Sequence, residues 1–166
     1  LSGGAKISGN TAQYNGGGVC MNAGVDGKFT MSGGTIGGTE SGETNTAKNG
    51  GGVYVGGAGA ITMDGGEISG NKAAEYGGGV NMDAGAYGKF TMNGGAKIAN
   101  NTATSGGGVF MRVNSTFTMD GGEISGNEAT QDGGSMEAAG GGVCVAGGTF
   151  TVSGSATVTG NKKSGG

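Results

Sequence analysis

Apolar residues occupy alternate positions in short bursts, and the bursts themselves recur along the chain. The segments KFTMSGGTIGG (28–38), AITMDGGEISGN (60–71), KFTMNGGAKIANN (89–101), TFTMDGGEISGN (116–127) and TFTVSGSATVTGN (149–161) are versions of one phrase, and LSGGAKISGN (1–10) is the same phrase entered late. Between copies stands GGGV followed by an alternating pair: GGGVCM (16–21), GGGVYV (50–55), GGGVNM (77–82), GGGVFM (106–111) and GGGVCV (140–145). Each cycle therefore carries three short alternating stretches, xFTM, xIxGN and GVxV, separated by glycine. None is long enough for a helix, and alternation is the signature of a strand with one buried face. Three strands per cycle, repeated with insertions tolerated between copies, predict an all-β fold: a right-handed, single-stranded parallel β-helix of about five coils. One such domain would span residues 1–166.

Stacked coils place equivalent residues about 4.8 Å apart, so the inward positions should form apolar columns. They do so in sequence. The first strand supplies Phe29, Ile61, Phe90, Phe117 and Phe150, then Leu1, Met31, Met63, Met92, Met119 and Val152. The second supplies Ile7, Ile36, Ile68, Ile98, Ile124 and Val158, and the third supplies Val19, Val53, Val80, Val109 and Val143, then Met21, Val55, Met82, Met111 and Val145. A disordered glycine-rich linker has no reason to hold six apolar columns in phase. An Asn follows the second strand in every cycle (Asn10, Asn45, Asn71, Asn101, Asn127 and Asn161), the pattern of a structural amide ladder at a corner. Two residues later Ala12, Ala47, Ala73, Ala103 and Ala129 fit a tight inward turn.

Composition narrows the chemistry. Gly is 46 of 166 residues, but without Pro or a strict three-residue period, which excludes collagen. With no His and with Arg112 as the single Arg, there is no imidazole for proton transfer and one guanidinium for clamping an anion. An enzyme is not expected, nor a cofactor or a metal. Scattered Lys and a net charge of −3 argue against a nucleic-acid partner, and no apolar run approaches the roughly 20 residues of a membrane-crossing helix, so membrane insertion is not expected. The start of the chain has no charged and apolar leader pattern, which would place any secretion signal outside these residues.

Outward positions carry what recognition the chain has. On the third strand they read Cys20, Tyr54, Asn81, Phe110 and Cys144, a candidate interaction face if exposed. The insertion 132–140 offers an alternative in which that stripe is covered. Cys20 and Cys144, four coils apart, are too distant to bridge within one chain. Outward on the second strand, Lys6, Glu67, Lys97 and Glu123 suggest a cross-strand charge ladder. Asp64, Asn93 and Asp120 share a turn position where other coils have Ser2, Ser32 and Ser153; as turn-formers they need no catalytic role. A complete outward Thr column (Thr30, Thr62, Thr91, Thr118, Thr151) raises ice binding, but its companion rank includes Lys28, Ala60 and Lys89.

At ISGNTAQYNGGGV (7–19) and ISGNKAAEYGGGV (68–80) the chain resembles the repeats of chlamydial-type polymorphic outer-membrane proteins, whose FxxN and GGA(I/L/V) motifs mark coils of a β-helical surface passenger. It is similar, too, to glycine-rich β-helix repeats of bacterial cell-surface proteins. Here Ile stands for Phe in the first motif and GGGV for GGA(I/V). The resemblance implies a secreted or surface-displayed bacterial protein of adhesin type, and it carries over no catalytic residues because the motifs are structural. The chain enters in mid-coil and ends where the next GGGV would begin, so both ends are expected to be uncapped: part of a longer array, or a subunit that stacks end to end into a filament. The expected function is that of a stalk, adhesin or filament subunit, with a host or cell-surface glycan or protein as a further partner. A carbohydrate-binding or carbohydrate-active β-helix is the first alternative and an ice-binding solenoid the second.

Overall fold

The computed structural model describes residues 1–83, 87–130 and 139–164, with side chains described throughout these except at 23–26. Every pair of neighbouring strands is parallel, and the strands stack as a β-solenoid of about five turns with no helix among the described residues. The first strand appears as Lys89–Met92, Thr116–Met119 and Thr149–Val152, and the second as Lys6–Ile7, Lys97–Ala99, Glu123–Ser125 and Thr157–Thr159. The third appears as Val80–Met82, Val109–Met111 and Val143–Val145. In the two earlier coils these merge into the long strands Val19–Gly37 and Val53–Ser69, whose pairing contains register shifts at the bends.

A fourth short strand per coil adds to the three read from the sequence. It follows the Asn and comprises Thr46–Asn49, Lys72–Tyr76, Thr102–Ala103, Glu128–Ala129 and Lys162–Lys163, which form a separate five-stranded sheet. Its inward residues are the alanines: Ala73, Ala103 and Ala129 are at most 3% exposed. In three of the five coils the strand is two residues long, too few for alternation to stand out in a sequence.

Register is strict. Phe29 pairs with Ile61, Ile61 with Phe90, Phe90 with Phe117 and Phe117 with Phe150, so the columns run straight through the interior. The rings of Phe90 and Phe117 stack with centroids 4.4 Å apart and planes 7° apart, and Phe117 continues onto Phe150 at 4.9 Å. Met31, Met63, Met92 and Met119 form the adjacent column, all fully buried. Slipping one strand by one residue would turn its apolar set outward, so burial enforces register.

The GGGV step shows why three glycines are needed in succession. Gly50 sits at φ +63, and a Cβ there would lie 2.5 Å from the Val53 carbonyl oxygen. At Gly51 a Cβ would meet the Lys72 carbonyl oxygen of the next coil at 2.5 Å. At Gly52 it would meet the Gly79 oxygen at 2.7 Å and the Asn71 amide nitrogen at 3.0 Å. The first glycine makes the turn; the other two let backbone approach backbone. Gly50, Gly51 and Gly52 donate to the carbonyls of Tyr76, Gly77 and Gly78, so the glycine segments themselves form a hydrogen-bonded ladder.

Candidate interaction face

The sharp GGG turn determines what happens to the third strand's outward stripe. It folds the chain so that the residue before the glycines faces the stripe residue one coil further on. Tyr76 packs on Phe110 with ring centroids 4.5 Å apart, and the Ser105 hydroxyl lies 3.4 Å from the Cys144 sulfur. Tyr54, Asn81, Phe110 and Cys144 are only 6, 2, 3 and 2% exposed. The expectation of an exposed stripe is therefore corrected at four of its five positions. Cys20, in the first coil, is exposed. Residues 132–138 of the insertion that was the alternative cover lie outside the described residues.

The stripe is thus a second, external core in the corner between the two sheets, and a polar cluster closes its rim. Tyr54 donates its hydroxyl to Asp83 Oδ2 at 2.5 Å, and Arg112 approaches Asp83 Oδ1 at 3.6 Å. The same guanidinium lies 4.9 Å from the Tyr76 ring centroid and 5.9 Å from that of Phe110, within cation–π range of both. Burial, then the Asp83 carboxylate, holds the Tyr54 hydroxyl well above the usual phenol range. Partial desolvation also raises the Cys20 thiol, which disfavours the nucleophilic thiolate. Asn49 and Asn81 each leave a buried side-chain oxygen without a partner among the described residues. The sequence signal for this corner is the column Asn15, Asn49, Tyr76 and Ser105, each immediately before a GGG and linked to the next by parallel bridges.

The six asparagines form one continuous ladder. Side-chain amide nitrogens donate to the next coil's side-chain oxygen from Asn10 to Asn45 (3.0 Å), Asn45 to Asn71 (2.9 Å), Asn71 to Asn101 (2.9 Å), Asn101 to Asn127 (3.0 Å) and Asn127 to Asn161 (2.8 Å). Each of the five after Asn10 also donates backward to a backbone carbonyl, as Asn101 does to Ile68 at 2.9 Å, and the Asn71 backbone N–H donates to the Asn101 side-chain oxygen at 2.9 Å. Asn45, Asn71, Asn101 and Asn127 are buried and fully engaged in structure, with no face left for a ligand.

Charged residues on the second strand pair locally. Glu67, Lys97 and Glu123 are register neighbours, and Lys97 meets Glu123 at 3.6 Å. Lys6 does not join that ladder: Thr35 intervenes in register, and Lys6 pairs with Glu43, whose carboxyl is held below its usual range by the Lys6 hydrogen bond. The turn row is bonded at two of its steps, with Asn93 donating to Asp64 at 2.9 Å and Ser153 to Asp120 at 2.8 Å. Beside it lies a shallow, open depression of about 240 Å³ floored by Gly94, Gly95 and Gly122 and flanked by Lys97, Glu123 and Thr157. Among the described residues no group of three or more Cys, Asp or Glu side chains is placed to hold a metal ion, and no helix is long and apolar enough to cross a membrane.

Fold and side chains together define a parallel β-solenoid whose polar groups are mostly spent on holding coils together. No protein-family model, no curated protein and no solved structure matches the chain.

Proposed function

We propose that the chain is an extracellular structural protein of a bacterial surface, acting as a stalk, adhesin or filament subunit without catalysis. One observation carries this reading: the apolar columns, the glycine segments and the asparagine amides all continue from coil to coil in register, so the sequence is organised for stacking. The resemblance of residues 7–19 and 68–80 to surface-passenger repeats supports the location. Partners follow from the same logic. In the last coil Val145, Val152 and Val158 are 42, 48 and 44% exposed, whereas Met111, Met119 and Ile124, one coil earlier in the same columns, are fully buried. A further coil in register would bury these valines, whether it comes from neighbouring repeats of a longer chain or from a second copy stacked end to end.

Sedimentation and electron microscopy at rising concentration test self-stacking, and surface display on a bacterium followed by a cell-adhesion assay tests the adhesin role. Filaments that disappear in Val158→Asp, or adhesion that depends on the displayed chain, are the expected results. A chain that stays monomeric and confers no adhesion would overturn the proposal.

A second reading, glycan binding, is favoured by the glycine-floored depression with its Lys97 and Glu123 flanks, since open polar grooves suit hydroxyl-rich ligands. Loss of binding to a glycan array in Lys97→Ala would support it, and an array without binders would remove it.

A further inference from the structure

The chain contains three Asn–Gly steps, Asn15–Gly16, Asn49–Gly50 and Asn93–Gly94. In such a step the glycine nitrogen can attack the preceding side-chain amide, because no side chain on the following residue blocks the approach. The reaction needs a nitrogen free to lose its proton, a backbone able to bring that nitrogen to Cγ, and access for water.

The structure separates the three sites. Gly16 N–H donates to the Asn49 carbonyl at 3.0 Å and Gly50 N–H to the Tyr76 carbonyl at 2.8 Å; both glycines are buried inside the intercoil ladder. Their nitrogens are occupied, and Gly50 is held from both sides, its carbonyl accepting from the Gly17 N–H. Asn93 instead opens a reverse turn closed by the Ala96 N–H on the Asn93 carbonyl at 3.2 Å. Gly94 and Gly95 are exposed, Gly94 sits at φ +53, and among the described residues no acceptor is recorded for the Gly94 N–H. A Cβ on Gly95 would have nothing within 4 Å, so the turn is open on that side, while one on Gly94 would stand 3.2 Å from the Asp64 carbonyl oxygen.

We propose that Asn93 is a site of spontaneous deamidation. The Gly94 nitrogen forms a bond to Asn93 Cγ and the Cγ–Nδ2 bond breaks. The nitrogen's proton leaves with the departing ammonia, and a five-membered cyclic imide remains. Water then opens the imide at either carbonyl. Opening on the side-chain side gives Asp with the normal backbone; opening on the backbone side gives isoaspartate. No oxidant and no reactant other than water is required, and the rate rises with pH because the attacking nitrogen must lose its proton.

The position makes the modification consequential. The Asn93 amide now donates to Asp64 Oδ1 at 2.9 Å. Its product is a carboxylate that can only accept, facing Asp64 on one side and lying one coil from Asp120 on the other. A row linked by a hydrogen bond becomes three carboxylates at successive coils, with one more negative charge on the chain. The reaction thus replaces attraction with repulsion on one edge of the solenoid.

The test uses the unmodified chain. Folded protein is held in mildly alkaline buffer, and peptide mapping follows, at each of the three sites, the mass change from amide to carboxyl and the appearance of isoaspartate. A parallel sample is held in urea. Asn93 is expected to convert at least about tenfold faster than Asn15 and Asn49 in the folded chain, because ladder-bound sites react only through local opening. In urea the three rates should converge. Conversion of Asn93 in the folded chain no faster than that of Asn15 and Asn49 would overturn the proposal, as would an acceleration of Asn93 in urea equal to theirs.

Discussion

Tyr76 packs against Phe110 of the following coil with ring centroids 4.5 Å apart, and this contact turns an outward-pointing residue into one that is 3% exposed. The corner between the two sheets therefore has a core of its own, outside the apolar columns. Removing a buried ring leaves a cavity that the glycine-tight corner cannot collapse to fill. Phe110→Ala should cost about 3–5 kcal/mol in denaturant unfolding. A double-mutant cycle with Tyr76→Ala should show a coupling of about 0.5–1.5 kcal/mol. A Phe110→Ala change within about 0.5 kcal/mol of wild type would mean that the corner contributes no packing.

The difference between the columns and this corner shows what a linear reading captures. Phe90, Met92, Ile98 and Val80 were legible as core because alternation within a strand fixes which side chains share a face. The Asn ladder was legible because one residue type recurs at one turn position in every coil. Alternation also gives the direction of Tyr54 and Phe110 correctly, but direction is not exposure. What covers Phe110 is set by the fold-back at GGG, which brings in Tyr76 from the preceding coil, as it brings Ser105 to Cys144. The Lys6–Glu43 pair depends likewise on the extra residues between Gly38 and Asn45, which return to the first coil through the bond from Gly9 N–H to the Glu43 carbonyl. In both contacts one partner, Tyr76 or Glu43, lies outside the repeated phrase, where residue identity does not recur from coil to coil.

Asn101 donates to Ile68 and Asn127 and accepts from both the backbone and the side chain of Asn71, all while fully buried. Asn101→Ala strands partners in two neighbouring coils. Each buried polar group left unsatisfied costs about 1–3 kcal/mol, so the variant should lose about 2–5 kcal/mol. Asn101→Leu should be no better despite its volume, because the partners remain unpaired. Urea unfolding that leaves either variant at wild-type stability would show that water replaces the ladder bonds at no cost.

Glycines in this chain are not equivalent, although the sequence repeats them alike. A Cβ at Gly51 would stand 2.5 Å from the Lys72 carbonyl oxygen and 2.7 Å from that of Gly78, both backbone atoms of the next coil. Gly95 is surrounded by open space and carries no left-handed φ. Gly51→Ala should therefore unfold or strongly destabilise the protein. Gly95→Ala should lie between neutral and a gain of about 0.4–1 kcal/mol from the reduced freedom of the unfolded chain. Thermal melts of the pair decide the point, and equal losses in both would contradict the steric assignment.

Tyr54 keeps its proton above the usual phenol range, first because of burial and then because of Asp83. As pH rises through about 10, an unfolded tyrosine releases its proton while the folded one retains it. The native state then binds more protons than the unfolded state, so stability falls with rising pH, and the contribution is fully present below the unfolded value. Tyr54→Phe lacks this proton. Its stability should be lower near neutrality, through loss of the hydrogen bond to Asp83, yet it should decline less steeply in alkali. Parallel slopes for the two proteins across the alkaline range would show that Tyr54 titrates normally.

Ile98 sits at the middle of its column, fully buried and paired in register with Ile68 on one side and Ile124 on the other. In a solenoid each coil contacts only its neighbours, so global cooperativity rests on interfaces in series. Ile98→Gly removes the side chain from two such interfaces and adds backbone freedom, a combined cost of about 3–6 kcal/mol from the cavity and the glycine. That loss is local and does not spread evenly along the chain. Native-state hydrogen exchange should then show the coils on the two sides of Ile98 opening independently, and limited proteolysis should cut first in the coil that contains it. Uniform loss of protection, with a cleavage pattern like that of wild type, would mean that the whole solenoid behaves as one cooperative unit and that nearest-neighbour coupling does not describe it.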